Sequence, residues 1–136
     1  MKINKGFTIR VSKKALQLTS PVVLWATDRS ISGKAIWDTG ASYVMLTPRA
    51  ISALCPSIVE EADADTANGK RTMFGYRVDI ALPGNIYFEN VSAYSADISD
   101  TDIVCLIGMD IISRGTMKVT PRDEAILFEF FVPHDP

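Results

Sequence analysis

With 136 residues, 47% hydrophobic and 22% charged, the chain is long enough to bury a core without disulfide or metal staples, and too short for two ordinary domains. Its 14 basic and 16 acidic residues leave a net charge of -2, and the basic ones are scattered singly or in pairs. No phosphate-binding face is expected from that pattern, and no nucleic-acid partner.

The opening MKINKGFTIR alternates polar and apolar residues, so neither a leader nor a spanning helix is read there. The protein is expected to be cytoplasmic, without membrane contact. Phe7, Ile9 and Val11, then Leu16 and Leu18, then Val78, Ile80 and Leu82 repeat with a period of two, the mark of strands with one buried face. A mainly β protein is the result. PVVLWAT and ISGKAIW read as two strands joined tightly through DRS, the second ending at Asp38.

After YVML, another short apolar run, Thr47 can cap a helix and Pro48 suits its first turn, so residues 48–54 are predicted helical, with Pro56 as the stop. Asn68-Gly69 tolerates the positive φ of a two-residue hairpin turn, which predicts strands over 62–67 and 70–82. Pro83-Gly84-Asn85 makes the next turn, and IYFENVSAYSADI continues the sheet. Asp110 can cap a short helix over Ile111–Arg114, with Gly115 as a left-handed stop. MKVT and AILFEFF read as the last strands and PHDP as a tail. Cys55 and Cys105 lack metal-ligand spacing and are expected to be free, buried thiols.

One segment carries chemistry. In AIWDTGAS a hydrophobic strand ends in a carboxylate at the edge of the core, where it can exchange a proton, and Gly40 lets the backbone turn tightly and admits a close neighbour. Asp38 bonding only its own turn is the competing reading. A second segment, VCLIG followed by Met109-Asp110, lies well downstream.

Together the two segments resemble the retropepsin family of aspartic proteases, over roughly residues 16–130. There a DTGA loop at the end of a buried strand pairs with an apolar-apolar-G-x-D segment running under it. The matching residues are Asp38, Thr39, Gly40, Ala41 and Ser42, with Leu106, Ile107, Gly108 and Asp110 as structural support. The resemblance implies one all-β domain over 1–136, a retropepsin-like closed barrel or acid-protease half-lobe with one or two short helices, a core at about 16–130 and a tail at 131–136.

It also implies an aspartic endopeptidase acting on a peptide or protein substrate, without metal or organic cofactor. Asp38, Thr39 and Gly40 would be the catalytic set; Ala41 and Ser42 would line the cleft floor, and Ala67, Asn68, Gly69 and Lys70 would form the tip of a flap over substrate. Since the mechanism needs two carboxylates and DTG occurs once, the enzyme would be a homodimer. In relatives, strands from the chain termini tie the dimer, and FTIRV and ILFEFFV are the candidates. Ala41, where two-lobed pepsins carry Ser, implies a mildly acidic optimum. Trp37 is larger than the Leu, Val or Ile usual before the catalytic aspartate, so the core behind the loop must be shaped differently. A second reading is a retropepsin-like module for dimerisation or peptide binding with little hydrolysis. His134, in the tail with no nucleophile motif directed at it, is not read as catalytic.

Overall fold

The computed structural model describes residues 3–66, 69–99 and 102–134. In chain order its elements are β1 (Ile3–Ser12), β2 (Leu18–Ala26), β3 (Arg29–Trp37), β4 (Val44–Leu46), α1 (Pro48–Leu54), β5 (Glu60–Thr66), β6 (Gly69–Leu82), β7 (Ile86–Ser95), β8 (Ile103–Ile107), α2 (Met109–Ile112), β9 (Thr116–Pro121) and β10 (Ala125–His134). The period-two segments become strands whose alternate residues point inward. Val22, Leu24 and Ala26 of β2 and Tyr76, Val78, Ile80 and Leu82 of β6 are all buried.

The larger sheet has the order β2-β3-β8-β4-β7-β6-β5, and β6 returns to pair with β2 through Val23↔Ala81, Leu24↔Ile80 and Trp25↔Asp79. That pairing closes six strands into a barrel and leaves β5 outside as an edge. Consecutive strands β3 and β4 are not neighbours. Between them runs β8, parallel to β3 and antiparallel to β4, and its IVCLI sequence is buried at four of its five positions.

A second sheet, ordered β1-β10-β9, is built from the chain ends. Strands β1 and β10 pair antiparallel from Ile3↔His134 to Ser12↔Ala125, so paired backbone continues past residue 130. Their apolar side chains are consumed within one chain: Phe7, Phe128 and Phe130 are buried and surround Trp37, with ring centroids 4.8 to 5.9 Å from the indole. Here is the differently shaped core that Trp37 demanded. Trp37 Nε1–H donates to Ser20 Oγ at 2.8 Å, and the Ser20 hydroxyl in turn donates to the Pro21 carbonyl at 3.1 Å, so neither buried polar group is orphaned.

Helix α1 spans the residues expected of it. Thr47 Oγ1 accepts from Ala50 N–H at 3.4 Å, and Cys55, at φ 46°, ends the helix ahead of Pro56. Other local expectations are corrected. The hairpin strands run 60–66 and 69–82, a shift of a residue or two. Asp110 does not cap α2; Gly108 occupies that position, and Asp110 lies inside the first turn. Gly115 is not among the residues at positive φ, and its role is contact: a Cβ there would stand 2.3 Å from Phe131 O and 2.8 Å from the Phe130 ring. Leu16 belongs to no strand and is 99% exposed.

Cys55 is exposed rather than buried, while Cys105 is fully buried, and desolvation pushes its thiol up to about 12. Only Cys55 should therefore alkylate rapidly in the native protein, and both thiols after unfolding, as mass spectrometry of iodoacetamide-treated samples would read. Rapid native labelling of Cys105 would contradict this packing.

Candidate active site

Strand β3 delivers Asp38 to the end of the barrel. The loop after it is braced from below by the segment that the sequence pairs with it. Asp38 N–H donates to Ile107 O at 2.9 Å, Met109 N–H to Ala41 O at 2.8 Å, and Asp110 N–H to Ser42 O at 3.2 Å. Asp110 works in the opposite direction too, its Oδ2 accepting from Val44 N–H at 3.3 Å and its Oδ1 from Ile111 N–H at 2.9 Å. One carboxylate thus joins the start of β4 to the start of α2. Gly108 makes the contact possible, because a Cβ would come within 2.7 Å of both Ala41 O and Tyr43 O.

Above this support, Asp38 is half-buried, while Thr39 and Gly40 are exposed. Gly40 N–H donates to Asp38 Oδ1 at 2.9 Å and Ala41 N–H to Asp38 O at 3.1 Å, so the turn fixes one oxygen of the half-buried carboxylate. One such loop supplies one acid. Ala41 is half-buried and Ser42 exposed beside it.

Of the expected flap residues, Ala67 and Asn68 lie outside the described residues. Gly69, at φ 104°, pairs with Thr66 and Lys70 with Asp65 at the exposed end of the β5–β6 hairpin. Sequence reasoning missed the walls of a cavity of about 850 Å³ beside this hairpin. Its lining includes Met45 of β4, Ile51 of α1, Phe74 and Tyr76 of β6, and Ile98. Arg71 and Asp97, which also line it, form an exposed ion pair at 2.9 Å that links the hairpin to the segment after β7. Nothing along TMFGY signals it, since Met73 and Phe74 are half-buried and Gly75 and Tyr76 buried, without alternation. Among the described residues no group of acidic, histidine and cysteine side chains could hold a metal ion, and no helix is long and apolar enough to cross a membrane.

Burial raises the Asp110 carboxyl above its ordinary value of 3.8, against the lowering pull of the Val44 and Ile111 amides and of Arg114. The folded state therefore holds this proton more tightly than the unfolded chain does. Its contribution is fully present below pH 3.8 and declines as pH rises through the raised value, so Asp110→Asn should flatten that part of the stability profile. Urea midpoints of both proteins over the acidic range would show it; parallel profiles would contradict it.

The family described as "gag-polyprotein putative aspartyl protease" matches residues 29–114, more than half of the chain, and the chain belongs to that family. Solved structures agree in fold. A retropepsin-like aspartic protease from Rickettsia conorii is 15% identical with a TM-score of 0.58, the match covering 97% of this chain and 96% of that one. The EIAV protease, in complex with the inhibitor HBY-793, is 20% identical with a TM-score of 0.54, over 74% and 89% of the two chains. The retroviral protease-like domain of Ddi1 from Leishmania major is 18% identical with a TM-score of 0.51, over 85% and 95%. At these identities the likeness establishes a retropepsin-like fold. No curated protein matches the chain by sequence.

Proposed function

We propose that the chain is one subunit of a homodimeric aspartic endopeptidase in which two Asp38 carboxylates meet across a twofold axis. The observation that carries this reading is the Asp38 loop itself: a carboxylate at the end of a strand that enters the core through Ala35 and Trp37, one oxygen held by Gly40 N–H, with an exposed Thr39 and Gly40 around it. Thr39 makes no hydrogen bond among the described residues, which leaves its hydroxyl available to the opposite loop.

Two carboxylates about 3 Å apart cannot both ionise, so the pair shares a proton. The ionised member takes a proton from a water lying between them as that water attacks the scissile carbonyl. The protonated member hydrogen-bonds the developing oxyanion. Collapse of the tetrahedral intermediate breaks the C–N bond, and a proton passes to the leaving nitrogen. Thr39 orients the loops, Gly40 holds the carboxylate, and Ala41 and Ser42 contact substrate. Ala67 to Lys70 close over an extended peptide, which adds to the hairpin as a strand. The apolar cavity near Met45 and Phe74 would accept an apolar side chain of that peptide.

The test is a mixed peptide library incubated across the acidic to neutral range, with and without a pepstatin-type inhibitor. Cleavage that is suppressed by the inhibitor is expected. A protein that dimerises and binds peptides without cleaving any would instead be the binding module.

A further inference from the structure

The order β2-β3-β8 puts Asp38 at the end of the middle strand, with a different flank on each side. On the β2 flank Leu18 pairs with Trp37, so Leu16, two residues upstream, stands within about 15 Å of the Asp38 backbone by chain and strand spacing. Leu16 is 99% exposed. On the β8 flank Met109, bonded through its amide to Ala41, is 41% exposed. A single exposed apolar residue is ordinary. These two bracket a site that holds only one of the two acids it needs.

We propose that a second copy of the chain covers this pole, and that Leu16 of each copy packs against Met109 of the other. The inference rests on the reading that two Asp38 loops meet at a twofold axis. An axis perpendicular to the row β2-β3-β8 turns that row end for end, so the Leu16 flank of one copy faces the Met109 flank of its partner. The alternative, Leu16 against Leu16, would bring together the exposed Lys13 and Lys14 of both loops, four like charges at one contact. The terminal strands have less to offer an interface. Their inward aromatic side chains are already buried around Trp37, and β1 and β10 are paired along their length within one chain, which leaves the β1 and β9 edges.

Sedimentation of the full chain, with peptide cleavage read on the same samples, tests the arrangement. Leu16→Glu should raise the dimer dissociation constant at least about 30-fold, the effect of losing an interface anchor, with unchanged thermal unfolding of the folded subunit. Met109→Lys alone should also weaken the dimer, and the double variant Leu16→Glu with Met109→Lys should recover it by pairing opposite charges across the axis. Loss in both single variants without recovery in the double overturns the Leu16–Met109 pairing. A Leu16→Glu protein as dimeric as wild type overturns the inference while the shared site stands, more so if Val119→Glu on the β9 edge dissociates it. Wild-type chain that cleaves as a monomer overturns the shared site itself.

Discussion

Replacing Asp38 with Asn is expected to lower peptide cleavage at least about 1,000-fold, within the range assigned to removal of a general acid–base group, with little effect on folding. The side-chain oxygen of Asn can still accept the Gly40 N–H that Asp38 Oδ1 accepts at 2.9 Å, so the turn keeps its bond while the group loses its capacity to carry the proton. Unfolding midpoints should change by no more than a typical surface substitution, about 0.5 kcal/mol. A shared site makes a further demand. Mixing wild-type chain with an equal amount of the variant and allowing exchange leaves about a quarter of the dimers fully wild type, so activity per wild-type chain should fall to about half. Each chain carrying its own complete site would leave it unchanged. Equal cleavage by pure wild type and pure variant would assign the activity to something other than Asp38.

Which parts of this architecture were legible in the sequence follows from the range of the interactions that set them. Val78, Ile80 and Leu82 announce a one-faced strand because burial acts on every second residue, and all three are buried in β6. Thr47 and Pro48 announce α1 because a cap and a first-turn proline are local devices. The Asp38 loop and the Gly108 segment could be joined on paper because each has a residue pattern of its own, although nothing in either shows that Asp110 would hold Val44 and leave the capping position to Gly108.

Pairings between distant segments were less visible. FTIRV and ILFEFFV read as candidates to tie two chains together, and within one chain they pair with each other. Leu16 keeps the alternation of its neighbours yet falls in the bend before β2, where no sheet buries it. The cavity draws residues from β4, α1, β6 and the segment after β7, a combination with no trace along the chain. Cys55 looked buried from its apolar surroundings. The left-handed residue that ends a helix sits where the chain turns outward, and that position exposes it.

Trp37→Ala should be strongly destabilising, in contrast to the change at Asp38. The indole is 6% exposed, packs on Phe7, Phe128 and Phe130, and directly precedes Asp38, so it joins the terminal sheet to the loop that carries the carboxylate. Removal of a buried aromatic side chain of this size costs about 3–5 kcal/mol in lost burial and residual cavity, a large share of the ~5–15 kcal/mol that stabilises a typical domain. It also strips Ser20 Oγ of its donor in the core. Trp37→Phe would keep most of the ring packing and forfeit that bond, so a smaller loss is expected, and Ser20→Ala, which leaves the indole N–H buried without an acceptor, should cost about 1–3 kcal/mol. Urea unfolding of the three variants should rank Trp37→Ala well below the other two. Should Trp37→Ala unfold at the wild-type midpoint, the terminal sheet would not be packed behind the Asp38 loop, and the internal pairing of β1 with β10 would lose its main physical reason.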